Sequence, residues 1–136
     1  MSLEQSSVYP SVRILVVDDH ELVREGVTAR LASAAGLSVV GEASCGEEAV
    51  DRVTELMPDV VVIDYQLPDG NGVTLCRRVR GISPLTRCVI YTATGVDYND
   101  AIAAGASAVV LKQLVGDQLI ETINAITANS QQPFKN

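Results

Sequence analysis

The sequence predicts a doubly wound α/β domain, a five-stranded parallel sheet in the order 2-1-3-4-5 with helices on both faces. Strand-like and helix-like patterns alternate along the whole chain, the signature of parallel strands joined by helical crossovers. The run Val-Val-Val-Ile at 60–63 is wholly apolar and β-branched and is bounded by turn residues, as in a strand buried on both faces of a parallel sheet. Right-handed crossovers then favour 2-1-3-4-5, with the topological switch point between the first and third strands.

Each element has its own signal. Residues 1–11 are polar and read as a frayed lead-in, and Arg-Ile-Leu-Val-Val at 13–17 is the first strand. Val23, Val27, Leu31 and Ala34 recur at helical spacing, with Gly36 as the stop. Residues 37–43 form a second strand. Ser44 and Glu47 have the S-x-x-E form of a capping box, opening a helix with Ala49, Val53 and Leu56 inward and Pro58 at its close. The central strand follows and runs into Asp64, with a Pro/Asp/Gly/Asn turn after it. A third helix spans 73–80 on Leu75, Cys76 and Val79, and residues 87–92 are the fourth strand. A short helix covers 97–104 and stops at Gly105; 108–111 is the fifth strand. The last helix spans 117–128 on Leu119, Ile120, Ile123 and Ile126, and 129–136 reads as a linker stub.

Composition narrows the function. The 136 residues suit one domain with its own core, 47% hydrophobic and 20% charged. Aromatics are 4% with no Trp, and the net charge of −7 gives a pI near 4.5, which argues against direct nucleic-acid binding and for a cation or a basic partner. Cys45, Cys76 and Cys88 lack metal-ligand spacing and read as reduced thiols. No run has transmembrane length and residues 1–10 lack a signal-peptide pattern, so the expected location is cytoplasmic.

The chemistry collects at the carboxyl ends of the strands, where open α/β sheets bind ligands. Asp18 and Asp19 follow the first strand, Asp64 ends the third, Thr92 the fourth and Lys112 the fifth. Three carboxylates in one crevice repel one another unless a cation joins them, and an oxygen donor set suits Mg²⁺ or Mn²⁺. Thr92 supplies a hydroxyl and Lys112 a positive charge for an anion. A metal half and an anion half around Asp64 make a phosphoryl-transfer layout, with Asp64 as nucleophile. Each residue has a plainer explanation: Asp18 or Asp19 as a helix N-cap, Thr92 as an ordinary strand residue, Lys112 as a solvated terminator, His20 as a solvent-facing helix start rather than a ligand. Their coincidence at adjoining strand ends favours function.

These residues carry a resemblance. Val-Val-Asp-Asp-His at 16–20, Ile63 with Asp64, Leu-Pro-Asp-Gly at 67–70, Thr92 with Ala93, and Ala-Gly-Ala-Ser at 104–107 leading to Lys112 resemble a response-regulator receiver domain of bacterial two-component signalling, a flavodoxin-like fold. Val-Val-Gly-Glu-Ala at 39–43 and Leu-Pro-Asp-Gly-Asn-Gly at 67–72 resemble the NarL/LuxR-type subgroup, and the likeness covers about 12–128.

The resemblance implies that Asp64 accepts a phosphoryl group from a sensor histidine kinase or a small phosphodonor, without enzymatic turnover. It implies Mg²⁺ (or Mn²⁺) on Asp19, Asp64 and the backbone carbonyl of Gln66, with Asp18 acting through water or as a further ligand. Thr92, the amide of Ala93 and Lys112 hold the phosphoryl group, and Gln66 and Thr94 tune its hydrolysis. Homodimerisation on activation completes the expectation, with either a helix-turn-helix output beyond residue 136, which the polar stub favours, or a stand-alone receiver; the receiver itself contacts neither DNA nor membrane.

Two features depart from the family pattern. Val109 stands where the family usually has an aromatic switch residue, and the interval from Thr92 to Lys112 is a couple of residues shorter than usual, in the region 95–104. They motivate a rival reading, a phosphate-independent dimerisation or interaction module. A Mg²⁺-dependent aspartyl phosphatase wants an acid where Gln66 stands, and a flavin carrier wants a Ser/Thr/Gly-rich loop after the first strand.

Overall fold

The computed structural model describes residues 11–93, 95–112 and 117–128. Its elements are β1 (Val12–Val17), α1 (Glu21–Ala32), β2 (Leu37–Ala43), α2 (Gly46–Leu56), β3 (Val60–Asp64), β4 (Gln66–Leu67), β5 (Gly70–Asn71), α3 (Gly72–Ile82), β6 (Arg87–Thr92), α4 (Tyr98–Ala103), β7 (Ala106–Leu111) and α5 (Asp117–Ala128). The main sheet runs β2-β1-β3-β6-β7 with every neighbouring pair parallel, the order the sequence predicts. The expected lead-in, except Ser11, and the linker stub lie outside the described residues.

Two apolar layers sandwich the sheet because strand residues alternate between its faces. Leu15, Val17, Val61, Ile63 and Ile90 pack against α2, α3 and α4, through Ala49, Val53, Leu75, Cys76, Val79 and Ala101. Ile14, Val16, Val60, Val62, Val89 and Tyr91 pack against α1 and α5, through Val27, Leu31, Leu119 and Ile123. The four apolar residues of β3 are wholly buried, each worth about 1.5–3 kcal/mol of transfer free energy. This double burial places β3 at the centre of the sheet and holds Asp64 at its carboxyl edge.

Several local expectations need correction. Gln66–Leu67 and Gly70–Asn71 pair as a small antiparallel ribbon where the sequence suggests only a turn. Ser44 and Glu47 do not form a capping box: the N-cap of α2 is Cys45, without a side-chain cap. Glu48 accepts from the amide and hydroxyl of Ser44, while Glu47 reaches Arg78 across to α3. The amides at the start of α2 are met instead by Asp69 from the ribbon's turn, at 2.8 Å from Gly46 and 3.0 Å from Glu47. A long-range cap of this kind leaves no signature at S-x-x-E spacing. β7 begins at Ala106, two residues before the expected start, because a register shift skips Ser107 and breaks the alternation. Val23 is exposed and Leu56 only half-buried, while Thr127 joins the buried face of α5.

Candidate functional site

The loop after β1 brings the acid pair to the switch point between β1 and β3. The N-cap of α1 is His20, without a side-chain cap, so neither Asp18 nor Asp19 serves as the helix cap. Asp18 is fully buried, and both its oxygens are engaged. Oδ1 accepts from the His20 amide at 2.8 Å, and Oδ2 accepts from the Tyr91 hydroxyl at 2.5 Å. Arg24 Nη1 donates to the Asp18 carbonyl at 2.6 Å, and its Nε donates to Glu42, so α1 fixes the backbone beneath the acid pair. Asp19 keeps its carboxylate 36% exposed, on the open side of the crevice.

Asp64 is 2% exposed at the end of β3. Its Oδ1 accepts from the Gln66 amide at 3.2 Å and its Oδ2 accepts from Lys112 Nζ at 3.0 Å. Lys112 stands 3.8 Å from Asp18 Oδ2 and lies over the Tyr91 ring, 5.3 Å from its centroid. Asp18, Asp19, Asp64 and His20 each bring one potential ligand atom within 4.8 Å of the others. His20 is 59% exposed, as a solvent-facing helix start should be, yet its Nδ1 lies 3.2 Å from carboxylate oxygens of both Asp18 and Asp19. Three carboxylates against one ammonium leave the crevice negative, and the hard oxygen donors fit a divalent cation such as Mg²⁺.

Electrostatics divides the two buried carboxylates. Burial pushes Asp18 up, but the Tyr91 hydroxyl, the His20 amide and Lys112 together outweigh it and hold the carboxyl below its usual range. Burial also pushes Asp64 up; Lys112 opposes this, the Asp18 charge reinforces it, and the carboxyl ends above its usual range. Burial and the bond to Asp18 push the Tyr91 phenol far up, so it stays protonated and donates.

The structure thus gathers Asp18, Asp19, Asp64 and Lys112 in one crevice. Thr92 is buried at the end of β6, and Ala93 follows it, exposed. Thr94 lies outside the described residues. Val109 is half-buried beside Ile90 in the layer that faces α2, α3 and α4. Tyr91 lies in the opposite layer, and Tyr98, on α4, is 60% exposed, so neither ring is buried in the layer that holds Val109. Between Thr92 and Lys112, α4 has six residues, against 11 or 12 in each other helix of the described residues. Sequence reasoning did not place Tyr91 in the site. The available signal was a phenol in an otherwise aliphatic buried strand, since a buried hydroxyl needs a partner.

A doubly wound parallel sheet with an acid pair after β1, an aspartate ending β3 and a lysine after β7 defines a receiver domain. The chain belongs to the response regulator receiver domain family, whose profile matches residues 14–124. As a receiver domain it is not a turnover enzyme. It is 44% identical over 119 residues to the DNA-binding transcriptional activator DevR/DosR of Mycobacterium tuberculosis, covering 86% of this chain and 55% of that protein. It is 32% identical to the chemotaxis protein CheY of Thermotoga maritima, covering 85% of this chain and 97% of that one. Among solved structures, a LuxR-family two-component response regulator from an Aurantimonas species superposes with a TM-score of 0.83 at 36% identity, covering 88% of this chain and 86% of that chain. The chain spans about half the length of the regulators it matches first, 55% and 57% for the leading pair. Among the described residues no helix is long and apolar enough to cross a membrane.

Proposed function

We propose that this receiver domain, residues 12–128, accepts a phosphoryl group on Asp64 from a phosphohistidine of a sensor histidine kinase, or from a small phosphodonor. An Asp64 oxygen forms the new P–O bond while the P–N bond of the phosphohistidine breaks and the imidazole leaves with the bonding pair and takes up a proton; from acetyl phosphate the P–O bond to the acetyl group breaks and acetate leaves. The observation that carries this reading is Lys112 Nζ at 3.0 Å from Asp64 Oδ2 inside a cluster of three carboxylates. Lys112 can then pass from the carboxylate to the phosphoryl oxygens, where developing negative charge needs a fixed cation.

Asp19 and Asp64, with the backbone carbonyl of Gln66, are the proposed holders of Mg²⁺ (or Mn²⁺), and Asp18, buried with a hydrogen bond to each oxygen, acts through water or as a further ligand. The bound cation would supply charge neutralisation at the phosphoryl oxygens. Thr92 and the Ala93 amide receive the attached group, and Gln66 and Thr94 set how fast water removes it. The half-length match to a DNA-binding transcriptional activator supports a transcriptional output; a cytoplasmic location, homodimerisation on activation and a helix-turn-helix form of that output are what the family resemblance implies. The rival module that ignores phosphate draws on Val109 and the short α4; the assembled Asp18, Asp19, Asp64 and Lys112 weigh against it.

Intact-mass measurement after incubation with acetyl phosphate and Mg²⁺ tests the proposal. One added phosphoryl group, lost in Asp64→Asn and without metal, is the expected result. No adduct under conditions that label another receiver overturns it.

A further inference from the structure

We propose that Tyr91 is a positioning residue of the cation site, its hydroxyl holding Asp18 in place while its ring supports Lys112. The inference rests on the cation reading above and adds a residue to it. Tyr91 is fully buried in β6, one residue before the strand's end, and is paired in register with Asp64 on β3. Its hydroxyl donates to Asp18 Oδ2 at 2.5 Å, and its ring lies under Lys112 Nζ at 5.3 Å. One side chain therefore touches both the inner acid and the cation that Asp64 binds.

The chemistry gives these contacts a direction. Asp18 has no solvent exposure, so its charge relies on protein donors, and among the described residues the His20 amide and the Tyr91 hydroxyl donate to it. The His20 imidazole approaches Oδ1 as well, at 3.2 Å, but its role depends on its tautomer. With Oδ1 held by a backbone amide and Oδ2 by a phenol, the carboxylate rotamer is set before any cation arrives. Outer partners of this type raise metal affinity by orienting the groups nearer the ion. The ring adds a cation–π contact that keeps the Lys112 ammonium between the two acids. Tyr91→Phe removes the first effect and keeps the second, which makes it the discriminating substitution.

Mn²⁺ binding, followed by the loss of the free-ion electron paramagnetic resonance signal, is compared for wild type and Tyr91→Phe. The expected result is affinity weakened about tenfold. Affinity unchanged or tighter overturns the proposal. Tyrosine ¹³Cζ spectra supply a readout that a merely structural role would not move. The Tyr91 resonance, assigned by its loss in Tyr91→Phe or its displacement in Asp18→Asn, is expected to shift as Mg²⁺ fills the wild-type site. A Tyr91 resonance that stays in place while the site fills also overturns the proposal, and needs only the wild-type protein and one folded variant. Wild type that binds no Mn²⁺ fails the cation reading itself, before any variant is measured, and so separates the two failures.

Discussion

Lys112 Nζ lies 3.0 Å from Asp64 Oδ2 and 3.8 Å from Asp18 Oδ2, so one ammonium serves the carboxylates at the ends of two adjacent strands. It is 22% exposed, close enough to solvent to follow an arriving anion and buried enough for its charge to count. Lys112→Ala is expected to slow labelling of Asp64 by acetyl phosphate about a hundredfold, the usual cost of removing one fixed charge-stabilising group. Time-resolved intact mass reads the rate, and a rate within a factor of about two of wild type would remove Lys112 from the mechanism.

Asp64 is expected to oppose folding at neutral pH. Burial, reinforced by the Asp18 charge, holds its carboxyl above the usual range despite Lys112. The folded state therefore keeps this proton at pH values where the unfolded chain has lost it. Its stabilising effect is full below the ordinary carboxylate range and disappears as pH rises through the raised value. Asp64→Asn should then melt higher than wild type at pH 7 without metal, by on the order of 1 kcal/mol, with the gap closing under acid. Thermal melts at pH 3.5 to 8 check the sign, and a variant that melts lower at pH 7 would contradict it.

Divalent metal should reverse that penalty. Mg²⁺ at ten times its dissociation constant is expected to add about 1.4 kcal/mol to unfolding and a chelator to remove it, as for any ligand of the folded state alone. Asp64→Asn together with Asp19→Asn should abolish the Mg²⁺-dependent rise in melting temperature. Persistence of the rise would place the ion elsewhere.

Asp69 ties the ribbon after β3 to the start of α2 through the Gly46 and Glu47 amides. Asp69→Ala is expected to cost about 1 kcal/mol, as for loss of an N-cap. Those amides hold the Asp69 carboxyl below its usual range. Its contribution is thus present above the unfolded carboxylate range and is lost as pH falls through the depressed value. Denaturant titrations of wild type and variant should converge in acid, and a constant difference down to pH 2 would show that the carboxylate charge is not involved.

Gly72 opens α3 directly behind the site. A Cβ built there would stand 2.9 Å from the Asp64 carbonyl oxygen and 3.1 Å from Ile63 Cγ2. Backbone cannot yield as a flexible side chain can, so Gly72→Ala should destabilise by about 1–3 kcal/mol and displace Asp64. Weaker Mn²⁺ binding is expected alongside the lower melting temperature. Normal stability and affinity would mean that the loop moves aside without cost.

Most of the sheet and four of the site residues were legible along the chain. β6 and α5 have the expected bounds, and Asp18, Asp19, Asp64 and Lys112 converge as their strand-end positions require. Where the reading departed, the cause was an interaction between distant segments. Ser44 and Glu47 satisfied the form of a capping box, yet Asp69 met the Gly46 and Glu47 amides from 23 and 22 residues away. The alternation that marks a strand failed at Ser107, where the register shifts.

Tyr91 shows the division most clearly. Apolar periodicity is a property of consecutive residues, so the sequence by itself determined that this is a parallel α/β domain with acids and a lysine at its strand ends. Which face Tyr91 lies on, and that its hydroxyl meets Asp18 73 residues earlier, depends on the β3–β6 register and on β1 lying beside β3. The tertiary structure decided it, because a buried hydroxyl takes the donor geometry that packing leaves open, and packing is settled only when all five strands are in place.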